Sequence, residues 1–128
     1  MRLLLDSHTF LWFIMGNARL SAAARAMIEE QANEKFLSVA SLWEIAIKVS
    51  IGKLSLSAPF ETLISQQLNA NGFELLSLEV KHTVPLIGLP FHHRDPFDRL
   101  LIAQAMVEQM QIVSIDSTFD AYPITRLW

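Results

Sequence analysis

Short aliphatic runs separated by stretches of helical periodicity recur along this chain, and they restrict it to few folds. The runs are Arg2–Asp6, Phe36–Val39, Phe73–Leu78, Gln111–Ile115 and, at an edge, Ile124–Trp128. Arg2–Asp6 is too brief to nucleate a helix and reads as a strand buried on both faces, and the others are further strand candidates. Helices are expected between them: Thr9–Met15 stopped by Gly16, Ala22–Ala32 capped by Ser21, Leu42–Ile51 before Gly52, and Phe60–Ala70 before Asn71–Gly72. Glu79–Ile87 is a weaker helix, with Pro85 inside it. Asp95–Pro96–Phe97–Asp98 is a strong helix start, with Asp95 as cap and Pro96 in the first helical position, and the helix runs to Met110. Strands alternating with helices predict an α/β fold: a central parallel sheet of four to five strands flanked by helices.

No Pro/Gly/Ser linker, repeat or low-complexity tract interrupts the 128 residues, so residues 1–128 read as a single domain, and 52% apolar content is ample for its core. Cysteine is absent, which removes thiolate, zinc-ribbon and iron–sulfur chemistry and suits a reducing, cytoplasmic setting. The longest apolar run, Phe10–Met15, is far too short to span a bilayer, and no membrane partner is expected. A formal charge of −3 provides no broad cationic field, so any nucleic-acid partner must be drawn by a local basic patch or by bound cations.

Four acids fall at equivalent places in this scheme. Asp6 and Asp116 end strands, while Glu44 and Asp98 lie in the opening turns of helices, and all four places lie along the carboxyl edge of a parallel sheet. Taken singly, each has a structural explanation. Asp6 caps the following helix, Asp116 forms a turn, Ser41–Glu44 matches a capping box, Asp98 holds the same offset from Asp95, and Glu44 precedes Lys48 by one helical turn. Taken together they do not, because two unit charges about 4 Å apart repel by roughly 4 kcal/mol at an effective dielectric near 20. A helix N-terminus returns only about 0.3–1 kcal/mol. Either some of these acids are protonated or a cation sits among them. All-oxygen ligands favour Mg²⁺ or Mn²⁺, and the chemistry such a site serves is phosphoryl or phosphodiester hydrolysis.

Four segments, in order and spacing, resemble a PIN domain: Leu3–His8, Ser38–Ala46, His93–Ala105 and Ile112–Phe119. More narrowly, they are similar to the VapC-like toxins of bacterial toxin–antitoxin pairs. The Asp-Pro-Phe-Asp-Arg segment running into Ile-Ala-Gln-Ala is the most specific of them. The resemblance implies a Mg²⁺-dependent endoribonuclease, with Mn²⁺ as substitute, that hydrolyses RNA phosphodiester bonds and is neutralised by a cognate antitoxin. By matching positions, Asp6, Glu44, Asp98 and Asp116 fall on the family's acidic quartet. Ser7 and Ser114 stand where the family often carries a small hydroxyl residue, and Asp95 matches a subfamily feature; all three are supporting candidates.

Lys48, Arg94 and Arg99, with Lys53, are candidate phosphate contacts, weighed against a solvated helix face or ion pairs with the acids. His92 and His93 are read as surface residues ahead of a helix rather than zinc ligands. Phe10, Trp12 and Phe13 are a candidate antitoxin surface or homodimer contact, with core packing the competing reading. The function of another class is a non-catalytic metal-binding regulatory or scaffold module. A receiver domain would need an acidic pair and a late lysine that are not evident, and a haloacid-type phosphatase would want an acid where His8 stands.

Overall fold

A computed structural model describes residues Met1–Trp128. Five strands form one sheet: β1 (Arg2–Leu5), β2 (Glu34–Ser38), β3 (Phe73–Leu76), β4 (Gln111–Val113) and β5 (Arg126–Leu127). All the pairings are parallel, in the order β3-β2-β1-β4-β5. The helices are α1 (Ser7–Met15), α2 (Ala22–Glu29), α3 (Val39–Ser50), α4 (Phe60–Asn71), α5 (Val80–Thr83) and α6 (Pro96–Glu108). Short 3-10 turns follow α5, at Val84–Gly88, and β4, at Ser117–Ala121.

Period-two alternation divides the strand residues between two cores. Leu3, Leu5, Leu37 and Val113 point to one face, where Phe10, Leu20, Ile28, Ile45 and Ile64 cover them. Leu4, Phe36 and Ile112 point to the other, against Leu89, Leu101, Ile102, Phe119 and Tyr122. Both faces are therefore buried in β1, β2 and β4, whereas Glu74 and Leu75 of the edge strand β3 are exposed.

Helix ends follow local chemistry with some shifts from expectation. Gly16 and Gly72 close α1 and α4 in the left-handed conformation. Pro85 splits the Glu79–Ile87 helix: α5 stops before it and the chain continues as a 3-10 turn. The helix expected to open at Ser41 opens one turn earlier, because Ser38 is the cap and its Oγ accepts from Ala40 N at 3.1 Å. Ser38 Oγ also donates to Gln104 Oε1 at 2.6 Å, and Gln104 is wholly buried. This bond between β2 and α6 locks the start of α3 against α6, the two helices that carry Glu44 and Asp98. The capping-box reading of Glu44 is thereby replaced.

Candidate metal centre

Strand order reverses at β1: the chain steps outward through β2 and β3, then returns to place β4 on the opposite side. The carboxyl ends of β1 and β4 flank the crevice where open parallel sheets bind ligands. A cleft of about 260 Å³ lies there, lined by Asp6, Ser7, Glu44, Lys48, Asp95, Asp98 and Asp116, with His8 and Ile115.

Each carboxylate is held by its own element. Asp6 leaves β1 and caps α1, with Oδ1 accepting from Thr9 N at 2.8 Å while Ser114 Oγ donates to Oδ2. Thr9 Oγ1 donates to Val113 O at 2.9 Å, tying that cap to β4. Glu44 Oε1 accepts from Ser7 Oγ, and Lys48 Nζ stands 3.4 Å from Oε2. Asp98 is in the first turn of α6, capped by Asp95, whose Oδ1 accepts from Phe97 N at 2.8 Å. Asp116 opens the turn after β4, with Oδ1 accepting from Thr118 N at 3.0 Å and Oδ2 in contact with His93 Nε2 at 2.9 Å. Ligand atoms of His93, Asp98 and Asp116 lie within 4.8 Å of one another.

The charge is only partly compensated, since Lys48 is the sole lysine or arginine in ion-pair distance of the four acids. Burial, reinforced by the charges of Asp95, Glu44 and Asp6, pushes the Asp98 carboxyl up to about 7 against the opposing pull of His93. At Asp116 burial works upward too, but hydrogen bonds from His93 and Thr118 outweigh it and hold the carboxyl below its usual range. One neighbouring acid thus stays ionised while the other takes up a proton near neutrality. Of the four acids, Asp98 and Asp116, with His93, bring their ligand atoms within 4.8 Å of one another, and Asp6 and Glu44 line the same cleft; this carboxylate-rich lining, short of positive charge, fits a hard divalent cation.

The cleft brings together Asp6, Ser7, Glu44, Lys48, Asp95, Asp98 and Asp116, with Ser114 directly behind Asp6. Other candidates lie elsewhere. Arg99 is buried and spent on the carbonyls of Leu89, Pro90 and His93, with Phe91 stacked 3.9 Å from its guanidinium. It fastens the 89–95 loop and does not meet phosphate. Arg94 is exposed and outside the cleft lining. Phe10 is fully buried, edge-on to Phe73, so it is core and not a partner surface. Trp12 is half-buried against Trp128 and lines a neighbouring groove with Leu11, Met15, Leu54 and Lys53. Phe13 is half-buried beside Phe73 and Arg25. His93, read as a surface residue, is buried and reaches the acids, whereas His92 is exposed.

Fold and cleft define a small α/β protein with a carboxylate-lined pocket at the switch point of a parallel sheet. The family model for the PIN domain matches residues 3–124, and the chain belongs to the PIN-domain family. A protein of Mycobacterium tuberculosis named Ribonuclease VapC16 is 36% identical over 69 residues, 51% of this chain and 49% of that protein. In that match the chain spans about half the length of its relative. Among solved structures, VapBC2 from Rickettsia felis, bound to a DNA fragment from its promoter, contains a chain that superposes with a TM-score of 0.71. The identity is 16%, covering 99% of this chain and 98% of that one. FitAcB from Neisseria gonorrhoeae gives 0.67 at 14% identity, covering 98% and 96%. These likenesses establish the PIN fold.

Proposed function

We propose that this chain is a metal-dependent endoribonuclease of the VapC type, held inactive by a cognate antitoxin. The observation that carries the reading is the convergence of Asp6, Glu44, Asp98 and Asp116, from four distant segments, on one cleft. The family match and the ribonuclease name of the Mycobacterium relative support it. Asp6, Glu44 and Asp98 would hold Mg²⁺ or Mn²⁺, with Asp116 as a direct or water-mediated ligand. When bound, the cation lowers the pKa of a coordinated water and stabilises charge on phosphate oxygens. The chain's own task is positioning. Ser7 and Ser114 orient Glu44 and Asp6, Asp95 secures the turn bearing Asp98, and Lys48 offers a cation to phosphate at the cleft mouth. No histidine base is required, and single-stranded RNA is the substrate class that the family resemblance implies.

The antitoxin is proposed to lie in the groove lined by Leu11, Trp12, Met15 and Leu54, because that groove shares His8 and Lys48 with the acidic cleft. An apolar segment seated there reaches the acids and blocks RNA. A homodimer is proposed through α3, where Trp43, Ile47 and Ile51 form an exposed apolar stripe. A cytoplasmic site of action follows from an RNA substrate, and no helix is long and apolar enough to cross a membrane.

The test is metal titration of the purified chain with a fluorogenic single-stranded RNA. Cleavage is expected with Mg²⁺ or Mn²⁺ and none with chelator; Asp6→Asn is expected to abolish cleavage while leaving the circular dichroism spectrum unchanged. Metal-dependent cleavage retained by Asp6→Asn would reject its role. Binding of partner without turnover, by the wild-type chain, would favour the scaffold reading.

A further inference from the structure

We propose that His93 is a positioning residue of the metal centre, a buried imidazole whose Nε2–H holds Asp116 Oδ2 and so fixes that carboxylate relative to Asp98. The inference rests on the metal-site reading above. Asp116 is the most exposed of the four acids: it follows β4 on an irregular segment, and its side chain is 40% exposed. Glu44 and Asp98 ride on helices of 12 and 13 residues, and Asp6 is buried. A carboxylate on a loop turns freely unless both its oxygens are held, and here Thr118 N holds one and His93 Nε2 the other.

His93 is itself held from every side. Its ring packs against Phe119 at 4.7 Å and Tyr122 at 5.5 Å between centroids. Its backbone N–H donates to Tyr122 Oη at 2.8 Å, and its carbonyl accepts from Arg99. Nδ1 is buried and has no hydrogen-bond partner. Nδ1 faces no acceptor, whereas Nε2 faces Asp116 Oδ2 at 2.9 Å, so the ring nitrogen that can donate here is Nε2. Packing alone does not explain the residue. A phenylalanine would fill the same slot between Phe119 and Tyr122 without leaving a polar ring atom unpaired. The imidazole is worth its orphaned nitrogen only through the other nitrogen, which faces Asp116 at 2.9 Å and Asp98 at 4.0 Å.

The experiment compares Mn²⁺ binding, read by electron paramagnetic resonance, in the wild-type chain, His93→Phe and His93→Gln, whose amide nitrogen reaches about as far as Nε2. His93→Phe is expected to bind Mn²⁺ about tenfold more weakly, as loss of an outer partner of a metal ligand does. His93→Gln is expected to recover most of that loss. Unchanged affinity in His93→Phe, or equal losses in both variants, would overturn the inference while leaving the metal site standing. Failure of the wild-type chain to bind Mn²⁺ would remove the metal reading and the inference with it. Should His93→Phe not fold, imidazole ¹⁵N spectra of the wild-type chain decide: a proton on Nε2 supports the proposal, and a proton on Nδ1 with none on Nε2 overturns it.

Discussion

Arg99 and Asp98 are one residue apart on the same turn of α6, and they show how a helix start can serve loop and site at once. Arg99 gathers three carbonyls of the 89–95 loop, the segment that delivers His93 and the cap Asp95. Arg99→Met, which keeps the stem and removes the donors, strands those carbonyls and is expected to cost about 2–3 kcal/mol in urea denaturation. Arg94→Met, on the exposed loop, is expected to change stability by less than about 0.5 kcal/mol. Asp98 makes the opposite contribution. An acid whose folded pKa, about 7, exceeds its unfolded value of 3.8 stabilises the fold fully only below the unfolded value. That contribution disappears as pH rises through about 7. With chelator present, the melting temperature is expected to fall from about pH 5 to about pH 8. Asp98→Asn should flatten that fall and melt about 3–6 °C higher at alkaline pH, the shift that about 1 kcal/mol gives in a domain of this size. It should also lose metal-dependent cleavage, as expected where stability is given up for function. A pH slope in Asp98→Asn as steep as in the wild-type chain would count against this account.

At the scale of elements, α3 carries two faces with different duties. Ile45 enters the core and Glu44 enters the cleft, while Trp43 is 63% exposed with Phe97 edge-on at 5.2 Å. Placing a charge on that stripe, Trp43→Glu, is expected to lower the mass measured by sedimentation to that of one chain and to leave the melting temperature within a few degrees. Trp12→Asp, in the groove beside the cleft, is expected to weaken antitoxin binding and leave the mass of the free protein unchanged. The elements themselves were legible in the sequence, because buried parallel strands are written as aliphatic runs and glycines mark the ends of α1 and α4. The cluster of acids was legible for the same reason: ends of strands and starts of helices share one edge of such a sheet. The 89–95 loop was not legible. Periodicity is silent in irregular backbone, so nothing local indicates that His93 turns inward onto Phe119 and Tyr122, or that Arg99 turns back onto the loop. Ser38 and Ser41 are both sound caps by composition, and Gln104, 66 residues from Ser38, decides between them.

For the whole molecule, a formal charge of −3 and an acidic cleft repel the phosphate backbone that the proposed substrate carries. Lys48 and Lys53 are the only lysines or arginines lining the cleft and its adjoining groove, with Arg94 on the loop before α6. Such a surface would not collect RNA by its own field, and a divalent cation held by the acids would supply the positive charge that phosphate lacks there. Anisotropy of a labelled single-stranded oligoribonucleotide, read in the cold before cleavage, should therefore show little binding with chelator and clear binding with Mg²⁺ or Mn²⁺. With two or three lysine or arginine contacts to phosphate, the slope of log affinity against log salt should be shallow, about −1.4 to −2.1, as expected at about −0.7 per contact on a single strand. Lys48→Ala should reduce that slope by about 0.7. Strong binding in chelator, or a slope several times steeper, would mean that the RNA is held by cationic side chains away from the cleft, and the four acids would then have no part in drawing it in.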